Sequence, residues 1–224
     1  MSAVPALSTR AQIVLVAERL FADRGLEGVS LRQIGAEAGS GNHSAVQYHF
    51  GSKDELVEAV FARRLPYLME RRRILVARHR PRDLRSWVEC YVLPILEQGE
   101  QQDSHYLCFI AMLQQAGQRQ PFDLLPAEFR ESIDAFHDQI AALLGDVPPG
   151  LRRHRISQAL AFSVHASADR ERSRAAGRAV LPFALHVADL LDGLVGFLTA
   201  PASDAALAAL DDVAPNTATL PVLV

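Results

Sequence analysis

The sequence contains few of the residues on which several protein classes depend. Its 224 residues include only two cysteines, Cys90 and Cys108, which excludes a disulfide scaffold and is typical of a reducing compartment. No N-terminal stretch has the apolar core of a signal peptide. The longest apolar segment, 181–200, is interrupted by a proline, a histidine and two aspartates, which argues against a membrane span. We therefore expect a cytoplasmic protein with no membrane partner.

Sequence motifs of catalysis and cofactor binding are also missing. The chain contains no G-x-S-x-G, P-loop, G-x-G-x-x-G, H-E-x-x-H or paired C-x-x-C motif. His105 and Cys108 are one helical turn apart, but no third ligand follows at a matching spacing, so we interpret them as packing or surface residues. We expect no catalytic residues, no metal and no cofactor, and we keep a helical-bundle enzyme as the less favoured alternative.

Charge is distributed unevenly along the chain. The formal net charge is −3, yet residues 1–80 carry 12 basic and 8 acidic side chains, whereas residues 81–224 carry 11 and 18. A basic first part and an acidic second part indicate that the first part meets an anion.

Strand alternation and hairpin signals are absent, and helical spacing of apolar residues occurs almost everywhere. The first fifty residues predict three short helices. Thr9 with Gln12 would form a capping box for the first helix, and Ser30 with Gln33 would form one for the second. Longer helices are predicted over 53–79, 82–99, 103–118, 126–145, 149–175 and 181–200.

The third short helix is predicted over residues 42–50, after a glycine-containing turn, which makes a helix-turn-helix. Ser44, Gln47 and Tyr48 share one face of it, and Val46 and Phe50 lie on the opposite face. Such a helix fits the major groove of B-DNA, where a glutamine can pair with adenine. Periodicity by itself leaves a polar surface helix of a bundle as the alternative.

Three short motifs lie at fixed spacing in this region. They are Ala22-Asp23-Arg24-Gly25, the stretch Val29–Ile34 and the stretch Val46–Leu56. In order and spacing they resemble the DNA-binding domain of TetR-family transcriptional regulators, although the turn before the third helix is one residue longer. The resemblance implies an all-α fold with a helix-turn-helix domain over 1–52. A larger helical ligand-binding and dimerisation domain would then cover 53–224.

The resemblance also implies binding to double-stranded DNA at a palindromic operator. Ser30, at the start of the second helix, and His49 would then meet phosphates. Lys53 opposes the dipole of the helix that it begins, which makes sense if its ammonium meets a phosphate. The expected DNA-binding residues are Ser30, Arg32, Asn42, His43, Ser44, Gln47, Tyr48, His49 and Lys53. A DNA-binding architectural protein without a ligand is the alternative.

Aromatic residues in the middle of the chain predict a pocket for a small, largely apolar effector. The expected lining residues are Tyr67, Trp87, Tyr91, Tyr106, Phe109 and Met112. Ordinary core packing is the alternative for each of them. We interpret the run Arg71–Arg73 as a solvated face with salt bridges. The alternative is that one of these arginines faces inward to pair with an anionic ligand.

Segment 181–200 is apolar almost all round, so a helix there needs cover on most sides. The preceding helix, 149–175, has small residues that would allow close approach, namely Ala159, Ser163, Ala166 and Ser167. We expect a homodimer through these two helices, which would align two recognition helices on a palindrome. A buried helix within a monomer is the alternative. The predicted function is a ligand-responsive transcriptional regulator, a repressor that a small molecule releases from its operator.

Overall fold

The computed structural model describes residues 7–39, 44–115 and 125–210, with only the backbone of residues 44 and 45. These residues contain α-helices and no strands, which confirms the predicted all-α fold. The helices are α1 (Thr9–Arg24), α2 (Leu31–Glu37), α3 (Ser44–His49), α4 (Lys53–His79), α5 (Leu84–Gly99), α6 (Tyr106–Gln115), α7 (Ala127–Leu143), α8 (Pro149–Ala175), α9 (Phe183–Thr199) and α10 (Asp204–Leu210).

Local capping chemistry fixes where the first helices begin. The predicted capping box at Thr9 is wrong, because the N-cap of α1 is Ser8, whose Oγ accepts a hydrogen bond from the backbone N–H of Ala11 at 3.3 Å. The predicted box on α2 is confirmed. Ser30 Oγ accepts from the N–H of Gln33, whose side-chain oxygen accepts from the N–H of Ser30.

The N-terminal unit is a helix-turn-helix built on an apolar core. α1 contributes Phe21, α2 contributes Ile34, α3 contributes Val46, and Phe50 follows directly after α3; each of the four is at most 2% exposed. Leu56, in the first turns of α4, completes this core. Apolar residues at helical spacing therefore hold α3 against α1, and the opposite side of α3 faces outward.

The larger helical unit packs α5 centrally among α4, α6, α7, α8 and α9. Helix α8 runs against α6, and it turns its small residues inward. Ser163 and Ser167 are buried there, and their hydroxyls donate to the backbone carbonyls of Leu160 and Ser163. The expectation that these small residues face a second subunit is therefore wrong for Ala159, Ser163 and Ser167, which are buried against other helices of the same chain, whereas Ala166 is half-buried.

Helix α9 buries only one side. Leu190, Leu191 and Leu194 pack inward, whereas Leu185 and Phe197 on the outward side are 52% and 44% exposed. Within the described residues, no single helix is long and apolar enough to cross a membrane. By length and composition alone, α9 and α10 together pass that test as a pair bent by 60°.

Candidate nucleic-acid interface and ligand cavity

Helix α3 separates buried apolar residues from exposed polar ones as its spacing predicts. Val46 is 1% exposed, whereas Gln47 is exposed and Tyr48 is 85% exposed. The amide of Gln47 donates to the backbone carbonyl of Gly51 at 3.3 Å, which steadies its side chain along the helix. The Tyr48 ring meets the half-buried ring of His49 edge-on, with 5.2 Å between centroids. A polar, aromatic-bearing surface is thereby presented to solvent.

The remaining predicted DNA-binding residues surround α3 unequally. Ser30 and Arg32, at the start of α2, are both exposed. Asn42 and His43 lie outside the described residues, and Ser44 begins α3 without a described side chain.

Lys53 anchors the start of α4. Its Nζ donates to the backbone carbonyl of Leu26 at 2.6 Å and lies 3.8 Å from the Glu27 carboxylate. An ammonium has three donors, so these contacts orient the group without using all of its hydrogens. The side chain is 29% exposed and ties the turn after α1 to α4. The phosphate role expected of Lys53 stays a prediction.

A buried ion pair joins the helix-turn-helix unit to the larger unit. Nε and Nη2 of Arg64 on α4 donate to the two carboxylate oxygens of Glu18 on α1, at 2.8 and 2.6 Å. Nη1 of Arg64 donates to the side-chain oxygens of Gln98 and Gln101, each at 3.0 Å. Burial by itself would lower the pKa of Arg64, but the hydrogen bonds and charge of Glu18 outweigh it and leave that pKa raised.

The sequence analysis did not predict this ion pair between Glu18 and Arg64. Glu18 sits within the apolar stripe of α1 and is 1% exposed, yet a single charged residue on a helix does not identify its partner 46 residues away.

A second buried carboxylate, Glu171 on α8, accepts a hydrogen bond from the N–H of Cys108 at 2.8 Å. Burial raises the pKa of Glu171, so proton uptake by this carboxylate is easier than in water.

A cavity of about 810 Å³ lies between α4, α5 and α7. Its wall is mostly apolar and includes two of the six expected residues, Trp87 and Tyr91. The lining residues are Pro66, Met69, Glu70, Arg72, Arg73, Val76, Ala77, Trp87, Cys90, Tyr91, Ser132, Ala135, Phe136 and Gln139.

The other four expected residues do not line this cavity. Tyr106 and Phe109 are buried, and the Phe109 ring lies 6.4 Å from that of Phe21 on α1 and 5.9 Å from that of Phe61 on α4. Tyr67 is 43% exposed and its hydroxyl donates to Glu97 at 3.4 Å, while Met112 packs against the core. Aromatic content thus predicted two lining residues on α5 but could not identify the wall supplied by α7. The binding of an effector in this cavity stays a prediction.

The three arginines of the run 71–73 have different surroundings. Arg71 pairs with Glu97 at 2.7 Å and Arg73 with Glu70 at 2.7 Å, as predicted for a solvated face with salt bridges. Arg72 instead turns inward and is 7% exposed.

Its guanidinium carbon lies 3.6 Å from the centroid of the Tyr91 ring, and its Nε donates to the Tyr91 carbonyl at 3.3 Å. Within the described residues, Nη1 and Nη2 of Arg72 are buried and have no hydrogen-bond partner.

His105 and Cys108 do not converge on other ligands. The Cys108 Sγ lies 3.4 Å from the carbonyl of Ala168, and burial raises the pKa of its thiol to about 12. In the part of the chain that the structure describes, no group of three or more His, Cys, Asp or Glu side chains could hold a metal ion.

Comparisons with known proteins agree with this geometry. Residues 13–60 match the family model described as bacterial regulatory proteins, tetR family. No curated protein matches the chain significantly.

Solved structures with the same fold include three bacterial proteins. A transcriptional regulator from Rhodococcus sp. Rha1 is 21% identical over 85% of this chain and 96% of its own, with a TM-score of 0.55. The ketosteroid transcriptional regulator KstR2 of Mycobacterium tuberculosis is 19% identical over 86% and 98%, with a TM-score of 0.53. AmtR of Mycobacterium smegmatis is 18% identical over 96% and 100%, with a TM-score of 0.55.

Proposed function

We propose that this chain is a DNA-binding transcriptional regulator of the tetR family, because its residues 13–60 match the model of that family, and that it acts as a cytoplasmic, ligand-responsive repressor. The observation that carries the proposal is the outward polar face of α3 on a buried helix-turn-helix core. In this proposal α3 enters the major groove, and Gln47 and Tyr48 reach base edges. Residues 1–52 are the DNA-binding part, and residues 53–224 bind the effector and the second subunit.

The phosphate contacts come from side chains around α3. Arg32, which is exposed, and His49, which is half-buried, supply donors together with Ser30 and Lys53 at the starts of α2 and α4. Asn42, His43 and Ser44, next to the N-terminal end of α3, complete the proposed contact set. Contacts of this kind fix the register of the protein on the duplex, while base contacts specify the sequence.

A small-molecule effector occupies the cavity between α4, α5 and α7. The volume of about 810 Å³ and the mostly apolar wall suit a ligand-binding site. An architectural DNA-binding protein would need no such space, and a fully packed interior would have favoured that alternative. The cavity therefore supports the ligand-responsive regulator over it.

Helix α4 couples the two sites. Its first turns belong to the core under α3, Arg64 fixes its middle to α1, and Met69 to Ala77 supply one wall of the cavity. A helix of 27 residues extends about 40 Å at 1.5 Å per residue, so a shift at the cavity end is carried to the DNA end. Effector binding thereby changes the spacing of two recognition helices and releases the operator.

The outward sides of α8 and α9 form the proposed dimer surface. Phe162 on α8 is 59% exposed, and Leu185 and Phe197 on α9 are 52% and 44% exposed. Three large apolar side chains on two adjacent helices support burial against a second copy of the chain. A two-fold axis there places two α3 helices on a palindromic site.

The test of this function is selection of bound duplexes from a random DNA pool at near-physiological salt. We expect a palindrome with two equivalent half-sites. If no sequence is enriched and the protein binds DNA only in a salt-sensitive way, the result would contradict the sequence-specific regulator and favour the architectural protein. Absence of any DNA binding would reopen the helical-bundle enzyme.

Two substitutions separate base contacts from phosphate contacts on the selected operator. Gln47→Ala changes the preference at one position of each half-site by about 1–3 kcal/mol, because it removes a bidentate base contact. Lys53→Ala weakens binding to all sequences alike and flattens the salt dependence. Arg78→Ala, at the far end of α4, is the control and leaves both unchanged. A change of base preference in Lys53→Ala would show that this role is assigned wrongly.

The dimer surface has its own test. Phe197→Arg places a charge in the proposed interface and yields monomers in sedimentation equilibrium that bind the palindrome weakly. Ile74→Arg is the matched control, because Ile74 on α4 is 43% exposed, close to the value for Phe197. Dimers that survive Phe197→Arg at micromolar concentration would rule this surface out.

A further inference from the structure

Arg72 is a buried cation whose charge no described carboxylate compensates. It is 7% exposed, it lines the cavity, and both of its terminal nitrogens lack a hydrogen-bond partner among the described residues. Burial lowers the pKa of its guanidinium; the opposing contributions come from the Tyr91 and Tyr106 side chains, and no Asp or Glu is among them.

Such a group is costly to the folded protein unless something else offsets the cost. Leaving a charged donor buried without its hydrogen bonds is among the most destabilising arrangements in a protein interior. The aromatic ring of Tyr91, 3.6 Å away, compensates part of this through a cation–π contact, and Phe129 adds a weaker contact at 5.8 Å. A ring face is a far weaker acceptor than an oxygen atom, so Nη1 and Nη2 keep no hydrogen-bond partner among the described residues.

We propose that the effector of this protein is an apolar carboxylate, and that Arg72 binds its carboxylate group inside the cavity. This inference rests on the proposed function, since it names the chemical class of ligand for the proposed effector site. Nε of Arg72 already donates to the Tyr91 carbonyl, which leaves the Nη1–Nη2 edge. That edge matches a planar carboxylate in a bidentate arrangement.

The remaining wall specifies the rest of the molecule. Met69, Val76, Trp87, Ala135 and Phe136 present apolar surface around the same space. The other basic side chain of the wall, Arg73, is 73% exposed and already paired with Glu70. The site therefore suits a ligand with an apolar aliphatic or aromatic body and one anionic end.

Ligand binding requires the Arg72 fork to move. Both terminal nitrogens are covered by protein, and the Tyr91 ring stacks on Phe136 with 3.6 Å between centroids. A carboxylate reaches the fork when the guanidinium turns from the Tyr91 ring toward the cavity. That movement alters the contact between α4 and α5, and α4 is the helix that continues to the DNA-binding core.

Trp87 reports on occupancy directly, because it lines the cavity and is the only tryptophan of the chain. We would titrate the full-length protein at pH 7 with two matched pairs of probes and follow its fluorescence. The pairs are decanoate with decan-1-ol and 4-phenylbutyrate with 4-phenylbutan-1-ol. Within each pair the apolar body is constant and only the head group changes. We expect at least one carboxylate to bind about tenfold more tightly than its alcohol.

Arg72→Met removes the charge and keeps an unbranched side chain of similar length. We expect it to abolish the preference for the carboxylate, so that acid and alcohol bind alike. Arg78→Met removes one charge from an exposed position of the same helix and keeps the wild-type preference. Acid and alcohol are compared in the same sample, so partial unfolding weakens both and leaves their ratio interpretable.

Three results would overturn the proposal. They are equal binding of acid and alcohol to the wild type, a carboxylate preference that survives Arg72→Met, and no Trp87 response to either carboxylate. None of these results bears on the proposed function, because the selection of bound duplexes from a random DNA pool tests that function independently. Failure of that selection together with a clear carboxylate preference would instead leave a carboxylate-binding protein without an operator.

Discussion

Two arginines of helix α4, eight residues apart, are both buried, yet their surroundings differ completely. Arg64 has both oxygens of Glu18 and two glutamine side chains as acceptors, so every nitrogen of its guanidinium donates a hydrogen bond. Arg72 has one carbonyl and two aromatic rings. The same residue type on the same helix thus forms a closed ion pair at the middle of α4 and, eight residues further on, a buried cation whose terminal nitrogens have no acceptor among the described residues.

The difference distinguishes the contact that holds α4 in place, at Arg64, from the region where α4 is free to shift, at Arg72. The Arg64 joint holds α1, α4 and α5 in one geometry, because a buried bidentate ion pair tolerates little displacement. The Arg72 region holds a cavity and unsatisfied donors, so a ligand gains hydrogen bonds there without breaking any ion pair. Under the proposed function, a movement that begins at Arg72 reaches the helix-turn-helix core as a movement of α4 about the contact at Arg64.

Arg64→Met is the substitution with the largest expected effect. It leaves the Glu18 carboxylate buried and without its cation, so we expect the free energy of unfolding to fall by about 3–5 kcal/mol, measured by urea denaturation. The double variant Glu18→Leu with Arg64→Met is the control and recovers most of the loss, because no charge is left behind. A loss below about 1 kcal/mol in the single variant would mean that the joint is not a stabilising ion pair.

His137 on α7 should make the larger unit sensitive to acid. Burial lowers the pKa of its imidazole to about 4, below the usual 6.5, so below pH 6.5 the unfolded chain binds a proton that the folded chain does not. Stability is therefore lost as the pH falls from about 6.5 to 4, by about 3 kcal/mol in total.

Urea denaturation of His137→Leu across this range should show a flatter profile than that of the wild type. His154→Leu, at an exposed position on α8, serves as the matched control and keeps the wild-type profile. A wild-type slope that persists in His137→Leu would assign the acid sensitivity to other groups.

Arg72→Met has the smallest expected effect on stability without ligand, and this contrast with Arg64 is the sharpest test of the comparison. Removing an unpaired buried charge offsets the lost cation–π contacts, so the free energy of unfolding changes by about 1 kcal/mol or less in either direction. A destabilisation as large as that of Arg64→Met, measured under identical conditions, would show that Arg72 has an ion-pair partner after all.

Local sequence signals predicted the helices well. The 53–79 and 149–175 ranges agree with α4 and α8 at both ends, because serine caps, prolines and helical apolar spacing act over a few residues. The α1 cap was assigned one residue too late, since Ser8 and Thr9 are both capable N-caps and only the backbone conformation distinguishes them.

The cavity between α4, α5 and α7 was predicted far less completely. Trp87 and Tyr91 were identified because aromatic residues suit a pocket, but Met69, Val76 and Phe136 also suit an ordinary core. Lining depends on which helices leave space between them, and spacing within one helix carries no information about that. The small residues of α8 were assigned to the wrong neighbour for the same reason.

The sequence by itself determined the all-α fold, most helix boundaries, the helix-turn-helix and the outward face of α3, because periodicity and capping are properties of neighbouring residues. Only the tertiary structure decided which of three consecutive arginines turns inward, that Glu18 meets Arg64, and where a cavity remains. Those features depend on contacts between residues far apart in the chain, where burial and the presence or absence of a partner set the energy of each charge.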